Sequence, residues 1–128
     1  MKMLLDTNRY RDYAEGNPEV LERMRHCEKV YLSYISLAEL RAGFLCGSRT
    51  AENERHLHLF LAKASVETLF ADDQTTHHFS RLYRQLRQQG TPIPSHDLWI
   101  ASLVIQHNLP LYSRDAHFDH LPQLPRVQ

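Results

Sequence analysis

Cysteine is nearly missing from this chain: its 128 residues hold only Cys27 and Cys46. Two cysteines build no disulfide framework, and neither stands in a CxxC or Cys/His spacing that would take zinc. A reduced, intracellular protein is the expectation, and a cytoplasmic one. Net charge is missing as well, because 15 Lys+Arg balance 15 Asp+Glu. That excludes a globally basic nucleic-acid binder, so any such partner must meet a local patch. No apolar run approaches the ~20 residues that cross a bilayer. At the N-terminus, Asp6 and Asn8 interrupt any signal-peptide core. Repeats, low-complexity tracts and linkers are also lacking, and the Pro-rich tail from Pro110 is short. The expected organisation is one domain spanning residues 1–128.

What is present is a globular composition, 42% hydrophobic and 23% charged, with nine histidines. The histidines make the net charge sensitive to pH below about 6.5. Short apolar runs alternate with helical stretches. Met3 to Leu5, Val30 to Ser33, Val66 to Leu69 and Leu111 to Ser113 read as strands, with Arg126-Val127 a possible fifth, at an edge. Helices are expected over Tyr10 to Glu15 and Glu19 to Cys27, separated by Gly16-Asn17-Pro18. A third begins at Ser36, where Ser36-Leu37-Ala38-Glu39 has the capping-box pattern, with Leu37, Leu40, Phe44 and Leu45 as its apolar stripe. Others run from Thr50 to Ala64 and from Asp72 or Asp73 to Gln89. The last of these turns Phe79, Leu82, Tyr83 and Leu86 inward, and Gly90 stops it. Ser95 caps a final helix, Asp97 to His107, which is apolar nearly all round and therefore central. The fold class is α/β, a three-layer α/β/α sandwich about a central, mainly parallel sheet of four to five strands.

Four carboxylates stand where carboxylates are scarce. Asp6 ends the first apolar run, Glu39 is embedded in Ile35 to Leu40, Asp97 abuts Leu98-Trp99-Ile100, and Asp115 follows Leu111-Tyr112-Ser113. An unpaired carboxylate at a core edge costs several kcal/mol, on the order of 3 or more, unless something compensates it. Each has a bland reading alone: a helix cap, a capping-box acid, an acid favoured by a helix dipole, a turn residue. Together they suggest a shared cation such as Mg²⁺ or Mn²⁺, both of which favour oxygen ligands. Open parallel sheets gather sites beyond the carboxyl ends of their strands, and Asp6 and Asp115 both follow strands directly. An acid-held divalent ion can generate a hydroxide and neutralise a phosphate, so phosphodiester hydrolysis is the natural reaction.

Four segments, in order, carry a family resemblance across nearly the whole length: Leu4-Leu5-Asp6-Thr7-Asn8, Ile35 to Gly43, Ile93 to Ala101, and Leu111 to Phe118. With these the chain resembles a PIN-domain ribonuclease, specifically a VapC-type toxin of a type II toxin–antitoxin system. The resemblance implies Mg²⁺-dependent cleavage of RNA, with Mn²⁺ as a substitute. It implies that Asp6, Glu39, Asp97 and Asp115 form the acidic, metal-holding pocket, with Thr7 and Ser113 supporting it through hydroxyls and Asn8 orienting the loop. It also implies a homodimer and an antitoxin that occludes the pocket. Two positions depart from the family pattern: Arg9 stands where an apolar residue is usual, and His96 where a small or polar one is common. Asp119 is an alternative fourth acid, although Asp115 follows its strand directly.

Among basic groups, Arg9, Arg11 and Arg41 flank Asp6 and Glu39, and Arg9, Arg41 and His96 are candidate RNA contacts. Arg81, Arg84 and Arg87 make a helical stripe that could position phosphates or be a solvated face. His56/His58 and His77-His78 read as solvated helix residues, and Trp99 as core. Two other readings share the chemistry: a non-catalytic RNA-binding or regulatory module of the same fold, and a Mg²⁺ nuclease acting on DNA.

Overall fold

A computed structural model describes all 128 residues. Strand β1, Lys2–Leu5, is the pivot. Met3, Leu4 and Leu5 are all fully buried. Their side chains alternate, so Met3 and Leu5 enter one core while Leu4 enters the other. A strand buried on both faces is the signature of a parallel sheet covered by helices on each side. β2 (Lys29–Ser33), β3 (Val66–Leu69) and β4 (Leu111–Tyr112) join it in the order β3-β2-β1-β4, all parallel. Met3 pairs with Val30, and Leu4 with Leu111. The expected three-layer α/β/α architecture is present. The fifth strand is reduced to one parallel bridge between Leu111 and Arg126.

Helices α1 (Thr7–Ala14), α2 (Pro18–Arg25), α3 (Tyr34–Cys46) and α4 (Thr50–Leu61) build one layer. Its core holds Met3, Leu5, Tyr10, Val20, Leu40 and Phe60 among others. Tyr10 meets Phe60 edge-to-face at 5.2 Å. α5 (Asp73–Gln89) and α6 (Ser95–His107) form the opposite layer. Phe79 packs on Trp99 at 4.3 Å there, so Trp99 belongs to the seam between these helices. An Asp72–Thr75 capping box starts α5, and Gly90 at φ 73° ends it, a left-handed position where glycine has no steric penalty. A short 3-10 turn, Ala116–His120, follows β4. No helix is long and apolar enough to cross a membrane.

Several local expectations change. The third helix starts at Tyr34, not Ser36, because Ser33 takes the cap and its Oγ accepts from the Ser36 amide at 3.1 Å. Glu39 is therefore not the acid of a capping box. Pro94, not Ser95, holds the cap position of α6, with no side-chain cap bond. Leu45 is 75% exposed and Tyr83 is exposed as well. Each lies about 100° round its helix from Phe44 and Leu82 respectively, past the edge of the buried stripe.

Candidate active site

Strand order decides where polar side chains can meet. The chain builds β2 and β3 on one side of β1, then returns to place β4 on the other. The point between β1 and β4 is where an open α/β sheet offers a crevice at its carboxyl edge. Asp6 leaves β1 there and Ser113 leaves β4 beside it. Asp6 is only 4% exposed. Its Oδ1 accepts from the Thr7 amide at 2.8 Å, and its Oδ2 accepts from Ser113 Oγ at 2.6 Å and Asn8 Nδ2 at 3.4 Å. Asn8 Nδ2 also reaches Ser113 Oγ at 3.3 Å, and Asn8 Oδ1 accepts from the Arg114 amide at 3.4 Å. Asn8 thus ties the loop after β1 to the loop after β4.

Glu39 enters from α3. Thr7 Oγ1 donates to Glu39 Oε1 at 3.0 Å and lies 2.9 Å from Ser36 Oγ. Ser36, fully buried, is the backstop of this arrangement. The Thr7 hydroxyl thus holds Glu39 in place within the acidic pocket.

Asp97 enters from the first turn of α6 and is likewise 4% exposed. Two histidines bracket it. His96 Nε2 lies 3.4 Å from Asp97 Oδ1 and 3.8 Å from Glu39 Oε2. His117 Nδ1 lies 2.8 Å from Asp97 Oδ2 and 3.2 Å from Asp115 Oδ1. Asp115, half-buried, accepts from the His117 amide at 2.9 Å, and its own amide donates to Ser113 Oγ at 3.0 Å. Asp119 turns to Arg126 at 3.2 Å, so Asp115 is the fourth acid at this edge. His117 has no role in the sequence reading. The available signal was its spacing, two residues beyond Asp115 in a turn whose Phe118 is fully buried.

None of the four acids pairs with a lysine or arginine; the basic side chains beside them are His96 and His117. Burial pushes Asp6 above the ordinary carboxylate range, against the bonds from Ser113 and Thr7, and Glu39 and Asp115 push the same way. Asp97 is also raised, chiefly by burial, although His117 and His96 pull it down. The hydrogen bond to Asp97 raises His117. Crowded carboxylates with raised pKa values lack a counter-charge. Ligand atoms of Asp97, Asp115 and His117 all lie within 4.8 Å of one another. Hard oxygens with one imidazole suit a divalent cation, so the residues present fit such an ion.

The candidate basic contacts lie elsewhere. Arg9 covers the Tyr112 ring at 4.6 Å and pairs with Asp12 at 3.2 Å. Arg41 pairs with Glu54 at 2.9 Å. Arg11, Arg81, Arg84 and Arg87 are exposed. Only His96, exposed at the lip, stands beside the acids.

Residues 3–124 match the PIN domain model. The chain belongs to the PIN domain family. Among curated proteins this PIN domain is 32% identical over 101 residues to Ribonuclease VapC5 of Mycobacterium tuberculosis, covering 79% of the chain and 75% of that protein. It is 30% identical over 123 residues to Ribonuclease VapC1 of Methanocaldococcus jannaschii, covering 95% and 82%. Among solved structures it resembles VapBC2 from Rickettsia felis bound to a DNA fragment from their promoter, with a TM-score of 0.87, 26% identity, and 99% and 98% of the two chains covered. VapBC-1 from nontypeable Haemophilus influenzae gives a TM-score of 0.88 at 26% identity, covering 100% and 98%. Within its family the chain therefore groups with the VapC proteins.

Proposed function

We propose that this PIN domain, taken as residues 1–128, is a metal-dependent endoribonuclease acting in the cytoplasm as the toxin of a toxin–antitoxin pair. The observation that carries the reading is the meeting of Asp6, Glu39, Asp97 and Asp115 at one sheet edge with no lysine or arginine partner. Asp6 and Asp97 would hold Mg²⁺, or Mn²⁺ in its place, with Asp115 and Glu39 completing the pocket. Such an ion, when bound, would lower the pKa of a bound water and neutralise charge on a phosphate.

The chain's own residues do the rest. Ser113 and Asn8 occupy the lone pairs of Asp6 Oδ2 and fix the carboxylate's orientation. Thr7 holds Glu39 by Oε1, leaving Oε2 toward His96 as the atom that orients an attacking water. That water adds to phosphorus and gives up a proton to solvent, the bond to the leaving oxygen breaks, and the leaving oxygen takes a proton from solvent, so one water is consumed and no net proton is left over. His96 is the candidate RNA contact best placed by distance; Arg9 and Arg41 would first have to leave Asp12 and Glu54.

The antitoxin partner is part of the same proposal, supported by the likeness to the VapBC2 and VapBC-1 structures, and a homodimer is proposed with it. A groove of about 560 Å³, lined by Tyr10, Leu40 and Phe44 with Arg11, Arg49 and Glu52, offers apolar walls and charges of both signs for a partner segment.

The test is cleavage of RNA by purified protein with Mg²⁺, Mn²⁺ or a chelator, beside DNA as a competing substrate. The expected result is ion-dependent RNA cleavage that Asp6→Asn abolishes. No cleavage with either ion, together with growth inhibition that survives Asp6→Asn, would overturn the reading. Light scattering checks the dimer, and co-purification with the product of a neighbouring small reading frame checks the antitoxin.

A further inference from the structure

His117 brings one ring nitrogen closer to two of the acids than His96 does. Its Nδ1 stands 2.8 Å from Asp97 Oδ2 and 3.2 Å from Asp115 Oδ1. Two ligands at right angles on an octahedral ion, each 2.0–2.1 Å from it, lie about 3 Å apart. The turn that presents them is anchored: Phe118 is fully buried, the Asp115 amide donates to Ser113 Oγ, and the His117 amide donates to Asp115 Oδ1. Imidazole and carboxylate therefore arrive together from one rigid segment, opposite the buried Asp97.

We propose that His117 is a direct metal ligand through Nδ1, alongside Asp97 and Asp115, and that this nitrogen makes the site prefer Mn²⁺ to Mg²⁺. The inference rests on the metal-dependent reading above. Mg²⁺ favours an all-oxygen shell, whereas imidazole adds affinity for first-row transition ions. On ligation the ring carries its hydrogen on Nε2. His96 is the natural control, since its Nε2 also approaches Asp97 but from the Glu39 side.

The experiment uses the full chain loaded with Mn²⁺ and read by pulsed EPR for coupling to a directly bound ¹⁴N. Calorimetric titration with Mn²⁺ and Mg²⁺ runs in parallel. The expected result is a nitrogen coupling in the unaltered protein and in His96→Gln that disappears in His117→Gln. The Mn²⁺ over Mg²⁺ affinity ratio should fall about tenfold or more in His117→Gln. Bound Mn²⁺ without nitrogen coupling in the unaltered protein overturns this inference and leaves the metal-dependent reading standing. Coupling that persists in His117→Gln with an unchanged ratio overturns it too. If neither ion binds, both readings fall.

Discussion

Asp6 and Asp12 lie in the same short stretch of chain, one capping α1 and the other within it, yet their surroundings are opposite. Asp12 is gripped by Arg114 through both carboxylate oxygens, at 2.9 and 3.0 Å, and by Arg9 at 3.2 Å. Those contacts hold its carboxyl below the ordinary value of 3.8. Asp6 has only neutral donors, and burial holds it above that value. Two guanidiniums sharing one carboxylate form a strut between α1 and the loop after β4. Asp6 and Asp97, buried without a lysine or arginine partner, have the chemistry that a divalent cation would balance. The contrast separates a charge-paired carboxylate from an unpaired, candidate functional one by its partners rather than by its residue type.

The sharpest way to break that contrast is at Asp97, which should behave as Asp6 does. If the bound ion supplies several kcal/mol of stabilisation to the reaction, Asp97→Asn should lower RNA cleavage by about a thousandfold. Asp12→Asn should leave cleavage near its starting rate; gel assays of both variants under one Mg²⁺ concentration make the comparison. Next in size is the neutral shell. Ser113→Ala frees Asp6 Oδ2, and loss of such a supporting bond should weaken metal binding by roughly 10–100-fold in a calorimetric titration.

Stability should then split in sign. With a chelator present, Asp6→Asn should raise the melting temperature by a few degrees, because the ionised carboxylate it replaces is disfavoured by burial. Asp12→Asn should lower stability by about 1 kcal/mol, the scale of a partly exposed ion pair. A fall in both would erase the distinction. Smallest is a pH effect. Asp12 is depressed in the folded state, so its contribution is present above 3.8 and is lost as pH falls through its folded value. The acid limb of a urea-denaturation series should therefore be shallower in Asp12→Asn than in the unaltered chain.

The elements were readable because their causes are local. Short apolar runs between helical stretches can only be strands covered on both sides, and Met3 to Leu5 behaves so. The acids were readable because a carboxylate ending an apolar run has no cause in packing. Glu39 was harder. Ser36 and Glu39 carry capping-box spacing, and only the cap bond from Ser33 reveals that α3 starts earlier and that Glu39 answers to Thr7. Arg9 and Arg41 looked well placed because they adjoin the acids in sequence. Their actual partners, Asp12, the Tyr112 ring and Glu54, are set by helix rotation and by packing across elements.

The sequence by itself determined the α/β class, the parallel sheet and the identity of four displaced carboxylates. These follow from side-chain period and from the cost of burying charge, which are properties of neighbouring residues. Tertiary structure alone decided which groups answer those carboxylates. Placing β4 beside β1 brought Ser113, Asp115 and His117 to Asp6 and Asp97. Desolvation and Coulomb energy depend on separation in space, and strand order, not sequence distance, sets that separation.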